Sequence, residues 1–363
     1  MRFDISLVDA NFLKGSALSA EEFEWRNVQS QPFEIRGLAV AEGERFVRLP
    51  VEELPKYSEG VQLLSYHTAG GRVRFRTDSA RVAVRVKSLN AGAMSHMPLT
   101  GSAGVDIFRN GAFAASVRPA TGDGGWYEGV YTSPGKMAQY EVNMPLYNGL
   151  TAMLIGLTPG AKLLAPEPYR YDKPIVYYGS SITQGGCASR PGNSYQGFLS
   201  RWLNADQINL GFSGNGRGEA DMARYIAGLE MSAFVLDYDH NAPSAEHLER
   251  THEAFFKIIR ERHPLLPVVF VSKPDFDLDP VTNAPRREII YRTYENARKN
   301  GDKHVYFVDG QTLFGEGDRD ACTVDGCHPN DLGFYRMAQA IYPALKAGLE
   351  SSEDENAQNR MGV

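Results

Sequence analysis

Residues 175–185 read Ile-Val-Tyr-Tyr-Gly-Ser-Ser-Ile-Thr-Gln-Gly, an apolar run that ends abruptly in glycine and two serines. Consecutive apolar residues bounded by a turn signal are typical of a strand buried on both faces. A serine directly after such a strand can lie in a tight strand-to-helix turn with its hydroxyl exposed. It can equally serve as a plain turn residue or a helix N-cap. This segment alone does not choose between Ser180 and Ser181 as a reactive hydroxyl.

The chain after this segment alternates apolar strands with helices. Further strands are predicted at 207–210, 234–237, 268–271 and 305–308, and helices at 194–203, 219–227, 245–262, 286–299 and 332–349. Five short apolar strands separated by helices predict a parallel sheet with helices on both faces, an α/β fold of three layers. In such sheets the reactive groups gather at the carboxyl ends of the strands.

The first half of the chain has no long helical periodicity. Polar and apolar residues alternate in 72–77 and 81–86, and 105–108 leads into Asn110-Gly111, a strong hairpin-turn dipeptide. These patterns predict an all-β domain, a β-sandwich of jelly-roll type, over residues 1–166. The proline-rich stretch 163–174 is typical of a linker. The α/β domain is expected over 167–350, and the polar residues 351–363 are expected to form a flexible tail.

Length and composition bound the class of protein. A chain of 363 residues is long for one domain and suits two. Its net charge of -6, without a basic tract, argues against nucleic acid or an anionic membrane as a partner. The N-terminal residues lack the basic start and apolar run of a signal peptide. We therefore expect a cytoplasmic protein, or a secreted one whose leader has been removed. Whether the chain forms a homo-oligomer stays open.

The last strand-to-helix junction, Val324-Asp-Gly-Cys-His-Pro-Asn-Asp-Leu-Gly333, carries the most informative polar residues. A serine hydroxyl is a poor nucleophile near neutral pH unless a base takes its proton. An imidazole does this best when a carboxylate orients it. Asp325 and His328 are three residues apart in a loop, so the carboxylate can reach the ring. The alternative is a surface loop that caps the next helix through Asn330 or Asp331.

Two intermediate strand ends carry uncharged hydrogen-bond donors. Ser213-Gly214 follows the second strand, and Asn241 follows the third. A tetrahedral acyl intermediate needs such donors aimed at its oxyanion, and both a glycine N–H and an asparagine amide are suitable. The alternatives are a glycine-rich turn for the first and an Asx-turn before Pro243 for the second.

The ordered set of Ser, Gly, Asn and His blocks, each at a different strand end, resembles the catalytic domain of SGNH (GDSL-type) hydrolases over residues 175–349. The family's Gly-Asp-Ser-[Leu/Ile] motif matches Gly179–Ile182 and selects Ser181, with Ser180 in place of the usual aspartate. Its Asp-x-x-His motif matches Asp325 and His328 in full. Its Gly-x-Asn-Asp motif is matched only at Asn241, so that assignment carries the weakest match.

A second resemblance lies in the N-terminal half. Residues 104–108, Gly-Val-Asp-Ile-Phe, are similar to the Gly-x-Asp-Leu-Tyr motif of β-sandwich domains that precede a subset of these esterases. Together the two resemblances imply a flavodoxin-like domain with a five-stranded parallel sheet, preceded by a β-sandwich.

For function, the resemblance implies a serine esterase with a Ser181–His328–Asp325 triad. The oxyanion hole would be formed by the N–H groups of Ser181 and Gly214 and the amide of Asn241. A small acyl group, acetyl above all, on a carbohydrate is the implied substrate, either a small molecule or an oligosaccharide. No cofactor or metal is expected.

Three residues shortly after the nucleophile segment, Arg190, Asn193 and Tyr195, are candidates to contact sugar hydroxyls. Their alternative is an ordinary helix start with Asn193 as N-cap. Cys187 and Cys327 lie near Ser181 and His328 in sequence. Reduced thiols are expected in a cytoplasmic protein and a disulfide between them in a secreted one.

Other functions remain to be weighed. A lipase-like or thioesterase-like acyl hydrolase, or a carbohydrate-binding protein without catalysis, would suit the same domains. A metal hydrolase using Asp237, Asp239, His240 and His328 is disfavoured because no metal-ligand spacing appears. A glycosidase would need Asp237 and Asp239 as facing carboxylates, but they stand too close together at one strand end. The glycines at 214, 216 and 218 do not have dinucleotide-binding spacing.

Overall fold

A computed structural model of the chain describes residues 22–89, 92, 94–120, 125–274 and 276–361. The regular elements described in the first half are mainly antiparallel strands. The strands are β1 (Glu24–Asn27), β2 (Glu34–Arg36), β3 (Val40–Glu42), β4 (Arg45–Val47), β5 (Arg72–Thr77), β6 (Arg81–Ser88), β7 (Val105–Arg109), β8 (Ala112–Val117), β9 (Gly125–Thr132), β10 (Ala138–Asn143), β11 (Leu150–Leu157) and β12 (Leu163–Leu164). Two short helices, α1 (Glu59–Ser65) and α2 (Leu99–Ser102), interrupt them.

These strands form the predicted β-sandwich. One sheet has the order β1-β11-β6-β9, and the other has the order β12-β5-β10-β7-β8 with β2 also paired to β5. The apolar positions of the alternating segments, such as Val73, Val82 and Val84, are fully buried in one cluster between the sheets. Period-two alternation therefore identified the inner faces correctly.

The hairpin between β7 and β8 turns at Asn110-Gly111, as predicted. Both residues have positive φ, 49° for Asn110 and 77° for Gly111. A two-residue turn with two positive φ angles matches the twist of the flanking strands, and Asn-Gly is the pair that adopts it most readily.

The second half forms a single parallel sheet between helices. Its strands are β13 (Tyr171–Gly179), β14 (Ala205–Gly211), β15 (Ala233–Asp237), β16 (Val268–Val271) and β17 (Val305–Val308). Its helices are α3 (Ser181–Gln184), α4 (Tyr195–Leu203), α5 (Ala220–Ala227), α6 (Ala245–Arg262), α7 (Pro280–Lys299) and α8 (Asp331–Met361). The strand order β14-β13-β15-β16-β17 is that of a flavodoxin-like sheet. The predicted five-stranded α/β fold is confirmed.

Some boundaries differ from the prediction. The 163–174 stretch is not a plain linker, because β12 and the first residues of β13 lie in it. The register of β13 against β14 shifts between Tyr171 and Ile175, where Pro174 cannot donate to the ladder. Helix α7 begins earlier than expected because Asp279 caps it and Pro280 fits its first turn.

Residues 351–361, which belong to the predicted flexible tail 351–363, are helical in the structure. Helix α8 continues to Met361 instead of ending near Leu349. Residues 351–361 include Glu, Ala, Gln and Arg, which favour helix, and contain neither proline nor glycine to end it. Within the described part of the chain, no helix combines the length and the apolar character needed to span a bilayer.

Buried arginines join the two halves. The guanidinium of Arg48 donates to the carbonyl groups of Asn209 (3.1 Å) and Gly211, at the end of β14. Arg72 pairs with Asp206 at the start of the same strand. Complete burial lowers the pKa of Arg48 to about 9. The N-terminal domain is therefore held by charge and hydrogen bonds along the strand next to β13.

Candidate active site

Ser181 lies where β13 turns into the short helix α3. A side chain on Gly179 would collide with Thr183 and with the carbonyl of Asp237, so only glycine fits at the end of the strand. Ser180 caps α3: its hydroxyl accepts from the Ile182 N–H at 3.1 Å. The cap occupies the Ser180 hydroxyl, whereas the Ser181 side chain is directed to His328. The local geometry thus distinguishes two serines that are equivalent by composition.

The loop before α8 brings His328 and Asp325 to this serine. Ser181 Oγ lies 2.9 Å from His328 Nε2, and His328 Nδ1 lies 2.8 Å from Asp325 Oδ2. The other oxygen of Asp325 accepts from the N–H groups of Cys327 and His328, which fixes the carboxylate in the loop. The loop also caps the helix, as the alternative reading held: Asn330 Oδ1 accepts from Leu332 N–H at 3.0 Å.

Hydrogen bonding keeps Asp325 ionised. Partial burial raises its pKa, but the hydrogen bonds from the His328 ring and from the two backbone N–H groups outweigh burial and lower the pKa to about 2. A carboxylate ionised at neutral pH can accept from His328 Nδ1–H and leave Nε2 as a proton acceptor.

Gly214 and Asn241 follow the two strands that flank β13. Gly179 pairs with Gly211 of β14 on one side and with Asp237 of β15 on the other, so the loops after these strands lie on either side of Ser181. Gly214 adopts a φ of 68°. One N–H of the Asn241 side-chain amide donates to the Phe212 carbonyl at 2.9 Å, which leaves its second N–H to another acceptor.

The N-terminal domain supplies residues at this edge that the sequence did not reveal. The Tyr147 hydroxyl donates to the backbone carbonyl of Ser181 at 3.0 Å. The side-chain amide of Gln184 lies 3.2 Å from His67 Nδ1, and burial, together with nearby Arg48, lowers the pKa of His67 to about 4. None of these pairs is close in sequence, so no local pattern could have indicated them.

The three predicted sugar-contacting residues make contacts within the protein. Tyr195 is fully buried, and its hydroxyl donates to Asp237 at 2.9 Å. The amide of Asn193 donates to Asp331 at 2.8 Å. The Arg190 guanidinium lies 3.8 Å from the centre of the Phe113 ring and 3.7 Å from Asp106. Tyr195 and Asn193 are buried and donate to carboxylates of the protein, whereas part of the Arg190 side chain is exposed, so a sugar contact in this segment stays a prediction.

Asp237 and Asp239, the acids of the metal-hydrolase and glycosidase hypotheses, also have hydrogen-bond partners within the protein. Asp237 accepts from Tyr195 and Thr183 and is buried, which raises its pKa to about 7. Asp239 accepts from Arg286 Nε at 2.9 Å and from the Lys273 N–H at 3.1 Å. Both side chains are held by hydrogen bonds at the sheet edge and do not converge with His328 on one site.

The cysteines are thiols in this structure. Cys187, Cys322 and Cys327 are free of disulfides. Burial raises the pKa of Cys187 to about 12, so that thiol stays protonated. Cys327 Sγ lies 3.1 Å from His240 Nε2.

Comparison with known proteins identifies a family for each half of the chain. Residues 172–346 match the GDSL-like Lipase/Acylhydrolase family. Residues 23–163 match the family described as N-terminus of Esterase_SGNH_hydro-type. This chain belongs to the SGNH/GDSL hydrolase family. It falls in the subset with an N-terminal Gly-x-Asp-Leu-Tyr-type domain, as its motifs at 104–108 and 179–182 predicted.

Solved structures resemble this SGNH hydrolase along most of its length. A protein described as a GDSL-like lipase from Bacteroides ovatus is 28% identical with a TM-score of 0.80, covering 90% of this chain and 98% of that one. The salicylyl-acyltransferase SsfX3 of a tetracycline biosynthetic pathway is 24% identical with a TM-score of 0.75, covering 91% and 98%. A family two carbohydrate esterase from Cellvibrio japonicus is 13% identical with a TM-score of 0.59, covering 90% and 98%. No curated protein matches the chain in sequence.

Proposed function

We propose that this SGNH hydrolase cleaves small acyl esters, acetyl above all, on carbohydrates. The observation that carries the proposal is the continuous hydrogen-bonded chain from Ser181 Oγ through His328 to Asp325, with distances of 2.9 and 2.8 Å. Distances of this length allow proton transfer at Nε2 while Nδ1–H is held by the carboxylate. The serine is thereby provided with the base that its reactivity requires.

In the proposed reaction, Ser181 Oγ attacks the ester carbonyl carbon while His328 Nε2 takes its proton. The negative charge that develops on the carbonyl oxygen is stabilised by the N–H groups of Ser181 and Gly214 and the free N–H of Asn241. His328 then gives its proton to the departing alcohol, leaving an acyl-enzyme. Water, deprotonated by the same imidazole, releases the acid and restores Ser181.

Two features support the substrate class. The fold resembles that of the Cellvibrio carbohydrate esterase and of an acetyl xylan esterase from Butyrivibrio proteoclasticus, which has a TM-score of 0.57 and 13% identity. The N-terminal domain also contacts the nucleophile segment through Tyr147, so the active-site surface is built by both domains. We therefore place the acyl group against Ser181 and the sugar toward the boundary between the domains.

The test is a panel of acetylated sugars and oligosaccharides beside esters of one chromogenic alcohol with acyl chains from acetyl to decanoyl. We expect the highest kcat/KM on acetyl esters, a steep fall with chain length, and release of free acetate. Uniform activity on long chains would instead indicate a lipase-like enzyme. Transfer of the acyl group to an added alcohol would indicate an acyltransferase, as SsfX3 is described to be.

A Ser181→Ala variant completes the test. Oligosaccharide binding without hydrolysis by the unmodified protein would indicate a carbohydrate-binding protein. Hydrolysis that survives Ser181→Ala would contradict the proposed mechanism, because no other group is assigned the nucleophile's role.

A further inference from the structure

His96 of the N-terminal domain faces the proposed base across the domain boundary. The rings of His96 and His328 have centroids 5.7 Å apart and cross at 63°. One donor atom each from His96, Asp325 and His328 lie within 4.8 Å of one another. Among the residues that the structure describes, this is the group of His, Cys, Asp and Glu side chains close enough to hold one metal ion.

The position of His96 is set by its neighbours in the chain. Met94 and Met97 form an antiparallel bridge, so Ser95 and His96 stand at the tip of a tight turn. Met97 is 4% exposed and packs into the hydrophobic cluster that contains Tyr195 and Phe334 of the catalytic domain. The turn is therefore anchored against that domain while the His96 side chain itself is exposed.

We propose that His96, Asp325 and His328 form an inhibitory binding site for Zn²⁺. Two imidazoles and one carboxylate are a ligand set that zinc takes with a fourth position left open. Magnesium and calcium prefer sites made of oxygen ligands, so the two imidazoles select against them. The ligands are supplied by both domains, two by the loop before α8 and one by the sandwich.

The three ligand atoms need to move only slightly closer together to bind one zinc ion. Tetrahedral ligands about 2.0–2.1 Å from zinc stand about 3.3 Å apart. The donor atoms of this site are separated by at most 4.8 Å, and Asp325 and His328 are already 2.8 Å apart. The exposed His96 side chain can make up the difference by a change of rotamer. A water molecule can fill the fourth position.

Zinc at this site would stop the reaction proposed above, and this part of the inference rests on that function. Coordination through His328 Nδ1, the ring nitrogen that faces Asp325, uses the lone pair of that nitrogen and leaves the ring proton on Nε2. Nε2 then has no lone pair with which to accept the Ser181 proton, and removal of the metal restores the base.

Binding is tested without reference to catalysis. In a Ser181→Ala background, the affinity for Zn²⁺ is measured by competition with a chromogenic chelator. We expect one site per chain, and adding His96→Ala should weaken it at least about tenfold, since even an outer-shell change costs about 10–100-fold. His263→Gln in the same background is the control. That residue lies at the far end of α6, bonded to the Ala227 carbonyl, and its loss should leave the affinity unchanged.

Inhibition is tested in the chain with Ser181 intact. Zinc should inhibit ester hydrolysis over the concentration range in which it binds, and chelator should reverse the effect. The activity of each variant is expressed relative to its own activity in chelator. Half-maximal inhibition of His96→Ala should need at least about tenfold more zinc than inhibition of the chain that keeps His96. Equal zinc affinity with and without His96 would overturn the proposed site. Zinc binding that depends on His96, in a chain that hydrolyses no ester, would uphold the site and overturn the proposed function instead.

Discussion

The carboxylate of Asp106 accepts a hydrogen bond of 2.8 Å from the backbone N–H of Gly192, which ties the N-terminal sandwich to the segment between Ser181 and α4. Its other oxygen accepts from the Asn143 amide at 2.9 Å. A side chain at Gly192 would collide with Phe108, so the close approach requires glycine. Burial raises the pKa of Asp106 to about 6 even though these donors lower it. The acidic residue of the Gly-x-Asp motif is therefore part of the domain interface.

Asp106→Ala should destabilise the protein. The Gly192 N–H and the Asn143 amide would lose their acceptor in a buried position, which costs about 1–3 kcal/mol. Urea unfolding followed by circular dichroism measures the change. Asp172→Ala is the control, since Asp172 also makes an interdomain ion pair, with Arg36, but is 65% exposed. Equal effects of the two variants would contradict a special role for Asp106.

Substitutions of the two adjacent serines, Ser180 and Ser181, should have very different effects on kcat. Ser181→Ala should lower kcat by about 10⁶, the scale seen when a triad serine is removed. Ser180→Ala should retain most of kcat but lower stability by about 0.5–2 kcal/mol, because α3 loses its N-cap. Steady-state kinetics and thermal unfolding of both variants check this. A kcat loss of the same size in Ser180→Ala would speak against Ser181 as nucleophile.

Asp325→Asn should lower kcat by about 10⁴ by removing the carboxylate that orients His328. The pKa of Asp325 is lowered to about 2, so the ionised form that supports catalysis is present above that value and is lost only as pH falls toward 2. The ratio of kcat between the unmodified protein and the variant should stay nearly constant from pH 5 to 8. A ratio that approaches one already near pH 5 would mean that Asp325 is protonated there.

Asn241→Ala should lower kcat by about 10²–10³ with little change in KM, the usual cost of one oxyanion donor. Part of this loss can come from freeing the Phe212 carbonyl, to which Asn241 donates. Asn215→Ala is the matched control: it also removes an amide from a loop bond, 2.8 Å to the Ser213 carbonyl. The proposed oxyanion role predicts a much larger effect at Asn241, and equal effects would exclude it.

The buried Asp237 should make stability depend on pH. Its pKa is raised to about 7 by burial, whereas an unfolded aspartate titrates near 3.9. The folded state therefore binds the proton more tightly, and the free energy of unfolding should fall as pH rises from about 4 to about 7, by up to about 1.4 kcal/mol per pH unit. In Asp237→Asn the side-chain amide oxygen can still accept from the Tyr195 hydroxyl, but the amide does not titrate in this pH range. The free energy of unfolding of the variant, measured relative to the unmodified protein, should rise over that range and then level off.

Periodicity alone placed most of the fold. Strands β16 and β17 and helix α6 occupy the residues predicted for them, because apolar runs and amphipathic spacing are local properties of the sequence. Helix α8 was predicted too short, since the residues beyond 350 are polar and lack the apolar spacing of an amphipathic helix, so that only their helix propensity indicates its continuation. The sequence does not show which way the Tyr195 hydroxyl points, and the structure directs it to the buried Asp237.

The sequence by itself determined the two domains' classes and the ordered blocks that carry Ser181, Gly214, Asn241 and His328, because strand patterns and short motifs are local properties of the sequence. Only the tertiary structure decided which groups meet. Ser181 and His328 are 147 residues apart and come together because parallel strands end at one edge of the sheet. Tyr147 and His96 reach that edge through the packing of one domain on the other, which no local pattern encodes.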